Sequence, residues 1–163
     1  CWEIALKSTN TPSAIALSRQ KVPYINPKNT KENKCKKGAY VVNITSHESN
    51  VTIVASGTEV ELALKVQDKL KESNIHSKVV SMPCMELFDK QTEDFRKDII
   101  EQNSLVVTLE AGSVMSWQKY VKNKGMNIGI DQFGESAPYK EVYGHFDLSE
   151  EKIVDYIQKK LRE

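Results

Sequence analysis

The sequence predicts an α/β fold: three layers, with a mostly parallel five-stranded sheet, one strand antiparallel, and helices on both faces. Three observations predict it. Apolar runs of strand length recur between residues 40 and 130. Amphipathic helical patterns alternate with them, and helix-cap chemistry marks where helices begin. Alternation of this kind favours parallel pairing, because each crossover helix packs back on the sheet and buries a face of it.

Tyr40–Ile44 and Val51–Ala55 read as the first two strands. The turn from His47 to Asn50 is short enough to join them as an antiparallel hairpin. The first is the expected antiparallel member of the sheet. Residues 58–73 read as a helix, with Leu62, Ala63, Val66 and Leu70 on one face. Thr58 and Glu61 have the spacing of a capping box, and Asn74 suits a helix end. Residues 77–82 form the next strand, and residues 93–102 a helix with Phe95, Ile99 and Ile100 inward. Leu105–Leu109 is a buried strand, residues 116–122 a short helix, and residues 126–130 the last strand. Ser149 caps a final helix with Ile153, Val154, Ile157 and Leu161 inward. Its first turn holds Glu150 and Glu151 and its last turn Lys159, Lys160 and Arg162, matching the helix dipole.

The front of the chain reads differently. Trp2–Lys7 has a short helical pattern that breaks over residues 9–12. Ala14, Ile15, Ala16 and Leu17 suit a strand buried on both faces, ending in the polar Ser18-Arg19-Gln20. Pro23, Asn26 and Pro27 follow, and residues 28–37 carry five lysines and one glutamate without hydrophobic periodicity. This is a solvated linker. The expected division is therefore 1–22 as the edge of a neighbouring domain, 23–39 as linker, and 40–163 as the body.

A chain of 163 residues, 39% hydrophobic and 28% charged, holds one globular domain with a real core. The net charge of +1 provides no strong field toward nucleic acid or membrane. No apolar run approaches the roughly 18 residues of a membrane span. No signal-peptide pattern stands at the front, and Cys1 in place of Met reads as a piece of a longer chain. Cys1, Cys35 and Cys84 are too few and too far apart for a disulfide framework or a zinc pattern, which places them as free thiols in a reducing cytosol.

Several residues offer chemistry. Ser56-Gly57-Thr58-Glu59 follows a strand and opens a helix, where backbone N–H groups attract anions; a plain helix cap explains it equally, and Glu59 opposes a phosphate. Glu110 ends a strand and is either an acid–base group or a carboxylate anchoring a loop. Ser113 or Ser116, before Trp117, can cap the short helix. Ser136 lacks the flanking glycines of a hydrolase elbow, so 133–138 reads as a turn that packs Phe133 and starts a helix near Pro138. His47, His76 and His145 are isolated, and Met82, Met85 and Met115 read as core filler. Arg19, at a strand's carboxyl end, is either a phosphate clamp or a surface arginine.

These segments together resemble the C-terminal part of a transketolase. The resemblance runs through residues 16–20, 55–63, 79–83, 88–91, 110–112 and 129–138, in order and over essentially the whole chain. It implies a homodimer that uses thiamine diphosphate with Mg or Ca to move a two-carbon ketol unit between sugar phosphates in the pentose phosphate pathway of the cytoplasm. It implies that 1–22 is the tail of the pyrimidine-binding domain and 40–163 the C-terminal domain. Arg19 matches the family arginine that binds the substrate phosphate. The family's Gly-Asp-Gly…Asn element, its activating Glu and its channel histidines are absent from this sequence. The expectation is a piece with no catalytic, cofactor-binding or metal-binding residue of its own, inactive alone, with a structural or dimer-supporting role. The alternative is a stand-alone α/β ligand-binding or protein-interaction domain. A related thiamine enzyme is a third reading, which the 133–138 run and Ser18-Arg19-Gln20 disfavour.

Overall fold

The computed structural model describes residues 1–25, 32–101, 103–121 and 125–163. The predicted helix ends at residues 102 and 122 and the start of the lysine tract fall outside the described residues. The elements run α1 (Trp2–Lys7), β1 (Tyr40–Ile44), β2 (Val51–Ala55), α2 (Glu59–Glu72), β3 (Ser77–Ser81) and α3 (Met85–Asp89). They continue α4 (Glu93–Ile99), β4 (Leu105–Leu109), β5 (Met126–Ile128), α5 (Tyr139–His145) and α6 (Glu150–Leu161). Two 3-10 turns, Lys34–Lys37 and Met115–Tyr120, complete the described secondary structure.

The sheet has the order β1-β3-β2-β4-β5. Strands β2, β3 and β4 are buried along their whole length. They are rich in valine, isoleucine and leucine, which pack on a pleated surface with two covered faces. Strand β2 pairs in parallel with β3, Val51 opposite Ser77, and with β4, Val51 opposite Leu105. One face packs Ile53, Val79 and Val107 under Ala63, Val66 and Leu70 of α2 and Ile153 and Ile157 of α6. The other packs Val54, Val80 and Val106 under Phe88, Ile99 and Trp117. Burying each such side chain contributes roughly 1.5–3 kcal/mol, so the two clusters hold the three layers together. Thr92 accepts the Phe95 amide at 3.3 Å and Ser149 accepts the Lys152 amide at 3.4 Å, fixing the starts of α4 and α6. Asn74, just past α2, takes φ 57°, the left-handed conformation that a helix stop uses.

Three expectations are corrected. Strand β1 does not form a hairpin with β2; it is antiparallel to β3, Tyr40 opposite Ser81. The buried β2 takes a parallel partner on each side, and the half-exposed β1 is left to the edge. Residues 14–17, read as a strand of a neighbouring domain's sheet, have no described strand beside them to complete the backbone hydrogen bonds, and Leu17 is exposed. Met115 is 77% exposed rather than core filler. The linker's last residues are docked, not loose. Lys37 sits 4.6 Å over the Phe95 ring, and the Cys84 amide donates to the Gly38 carbonyl at 3.2 Å. Helix α3 was not anticipated, being only five residues long.

Gly38 is the tightest joint of this region. Its φ is +82°, and a Cβ there would stand 2.2 Å from the Phe88 amide nitrogen and 2.4 Å from the Cys84 carbonyl oxygen. Both obstacles are backbone and cannot swing away. Gly38→Ala is expected to cost roughly 2–4 kcal/mol, combining the left-handed penalty with displacement of α3. Urea denaturation measures it; a change within about 0.5 kcal/mol, the size of an ordinary surface substitution, contradicts the assignment.

Candidate functional site: the crevice between β2 and β4

The parallel register places the carboxyl ends of β2 and β4 side by side, with Ala55 opposite Leu109. From β2 the chain leaves through α2 toward β3, and from β4 it leaves through the Met115–Tyr120 turn toward β5. The connections diverge, so a crevice opens between the next residues, Ser56 and Glu110. This is where doubly wound sheets place ligands.

Ser56 Oγ donates to Glu110 Oε2 at 3.3 Å, and the Trp117 indole N–H donates to the same oxygen at 3.1 Å. Trp117 is buried, so its ring fixes the carboxylate from below. Beside it Glu59 is only 4% exposed. One Glu59 oxygen accepts the Thr58 hydroxyl at 2.6 Å and the Tyr143 phenol from α5. Two carboxylates thus stand at the sheet's centre. Burial, then the Glu59 charge, push the Glu110 carboxyl above its ordinary value; the Trp117 and Ser56 hydrogen bonds pull the other way. Burial and the bond to Glu59 push the Tyr143 phenol up to about 12.

The predicted capping box is not formed. Thr58 has helical backbone angles and makes no side-chain cap bond. Its hydroxyl goes to the buried Glu59, which needs donors more than the exposed helix start does. Glu61 pairs with Lys65 at 3.0 Å instead. Glu110 takes the anchoring role set out as its second alternative. Ser113 donates to Asp131 Oδ1 at 2.8 Å and accepts the Met115 amide at 3.3 Å, while Ser116 lines the crevice. Ser136 is exposed, and Phe133, expected to pack, is 99% exposed, although α5 does start after Pro138. His47, His76 and His145 are exposed, and His145 stacks edge-on with Phe146. Arg19 is exposed on the front segment and does not line the crevice. No three His, Cys, Asp or Glu side chains among the described residues converge to hold a metal ion. Sequence reasoning missed Tyr143 and the burial of Glu59, because no local pattern signals a partner 84 residues away.

Comparison with known proteins decides the family. Residues 38–149 match the family model described as the transketolase-like TK C-terminal domain. The chain belongs to the transketolase family. It is 39% identical to the transketolase of Rhodobacter capsulatus over 93% of this chain and 24% of that protein. It is 36% identical to the chloroplastic transketolase of Solanum tuberosum over 94% of this chain and 21% of that one. The crystal structure of Campylobacter jejuni transketolase superposes with a TM-score of 0.86 at 35% identity, over 97% of this chain and 24% of that chain. A Pichia stipitis transketolase solved in complex with sedoheptulose-7-phosphate superposes at 0.73 with 28% identity, over 79% of this chain and 18% of that chain. The chain therefore spans about a quarter of the length of the curated relatives it matches.

The Glu110 geometry sets a pH signature. With its carboxyl raised on folding, the folded state holds that proton more tightly than the unfolded chain. Its stabilising contribution is full below the ordinary carboxylate value and is lost as pH rises through the raised one. Glu110→Gln removes the titration. The native protein should lose stability relative to E110Q as pH rises from the ordinary carboxylate value toward neutrality. Urea denaturation over a pH series measures this; a pH-independent difference, or one of opposite sign, contradicts it.

Proposed function

We infer that this chain is the C-terminal portion of a transketolase, which transfers a two-carbon ketol unit between sugar phosphates in the pentose phosphate pathway. The observation that carries the reading is the family match over residues 38–149, joined to relatives named transketolase that are about four times longer. The Pichia stipitis relative's complex with a sugar phosphate supports that substrate class. In this reading 1–22 is the tail of the pyrimidine-binding domain, 23–39 the linker, and 40–163 the C-terminal domain of a cytoplasmic homodimer.

The intact family implies thiamine diphosphate and a divalent metal such as Mg or Ca. The residues of this chain do not fit that group. The described residues offer no convergent three-donor set for the metal, and the crevice at the sheet centre presents carboxylates, which repel a diphosphate. The cofactor's carbanion chemistry belongs to the rest of the enzyme. The chain's body then has a structural or dimer-supporting role.

Arg19 is the residue assigned to substrate. It is exposed, and no ion pair engages it among the described residues. Its guanidinium can clamp a phosphate through two parallel N–H donors, a geometry that lysine does not reproduce. In the intact enzyme Arg19→Ala should raise KM for sugar-phosphate donors about 10–100-fold with kcat changed far less. Arg19→Lys should recover only part of the loss. Steady-state kinetics with phosphorylated and unphosphorylated ketose tests this, since only the phosphorylated substrate should respond; equal effects on both would remove Arg19 from the phosphate site.

A further inference from the structure

The crevice between β2 and β4 has a chemical character that the transketolase reading leaves unused. Its cavity is about 440 Å³, within the range of small-molecule sites. Its lining includes the carboxylates Glu110 and Glu86 and no Lys, Arg or His. Lys119, whose charge reaches Glu86, is paired with Asp89 and stands outside the lining. The floor and wall are buried Met82, buried Trp117 and half-buried Met85, a polarizable apolar surface.

Glu110 is the group with unfilled capacity. Its Oε2 accepts both Ser56 and Trp117, while Oε1 has no hydrogen-bond partner among the described residues. An ionised carboxylate accepts at both oxygens. Glu59, behind it, adds a second negative charge, already satisfied by Thr58 and Tyr143. The half-buried Glu110 is thus a fixed carboxylate with one open oxygen, facing a cavity that lacks a balancing cation. A phosphate or nucleotide meets two like charges there and no donor cation. A positive group relieves the repulsion between Glu110 and Glu59 and gains a charge-assisted hydrogen bond.

We propose that this crevice binds a small organic cation, a primary ammonium on an apolar body, with the ammonium on Glu110 Oε1 and the body against Met85 and Trp117. The site rests on the crevice's own geometry and not on the transketolase assignment, so the two fail separately. The same hydrogen bond that positions Glu110 supplies the reporter, because the Trp117 indole N–H points at the carboxylate.

The probe is benzylammonium, titrated into the full 163-residue chain while the two indole N–H resonances are followed by NMR. The Trp117 signal should shift saturably, and that of exposed Trp2 should stay still. Benzyl alcohol and phenyl phosphate should produce no saturable shift. Glu110→Gln should weaken binding at least about ten-fold, the value of a charge-assisted hydrogen bond. If that variant does not fold, exposed Glu86→Gln should weaken binding by about two- to five-fold, as for a rim charge. A shift that never saturates overturns the proposal. So does an equal response to phenyl phosphate or benzyl alcohol, or unchanged affinity in the folded variants.

Discussion

Strand β2 is the constraint from which the rest of the body follows. All five of its residues are buried, and it is hydrogen-bonded in parallel on both sides. A strand in that position needs apolar cover above and below, which α2 with α6 and the Phe88–Trp117 cluster provide. Parallel neighbours require crossovers, and these set the helix order. The remaining strand, β1, has partly exposed residues and can pair only at the edge, beside β3. The same centrality puts Ser56 and Glu110 next to each other where the crossovers part.

The elements that were legible in the sequence are those whose signals are local. Tyr40–Ile44, Val51–Ala55 and Leu105–Leu109 are found with their predicted ends, because their apolar runs stop at the polar Thr45, Ser56 and Glu110. Helix α6 is legible from Ser149 and its charged ends, and Asn74 from its tolerance of positive φ. What was not legible depends on distant partners. The β1–β2 hairpin was plausible from loop length, but β2's preference for β3 and β4 outweighs a short connection. The Thr58–Glu61 capping box has the right spacing, yet the buried carboxylate of the next residue, Glu59, takes the hydroxyl. Residues 14–17 have strand composition, and composition alone does not supply the neighbouring strand that ladder hydrogen bonds need.

The candidate site divides in the same way. Glu110 and Ser56 were visible as strand-end polar residues, and only the parallel register brings them within hydrogen-bond reach. Trp117 reaches the crevice from the turn after β4, and Tyr143 reaches Glu59 behind it from α5; no sequence pattern ties them to it. The resulting site is negative and partly apolar, while Arg19 is positive and exposed on the front segment. The crevice and the front segment therefore suit opposite chemistries.

The central claim is that this α/β body and its arginine-bearing front segment are one quarter of a longer transketolase. Sequencing the transcript upstream of the Cys1 codon tests it most directly. The account predicts a long in-frame continuation that carries the Gly-Asp-Gly…Asn metal–diphosphate element missing from these 163 residues. An in-frame stop followed by an initiator Met immediately before Cys1 would contradict it and leave a free-standing domain.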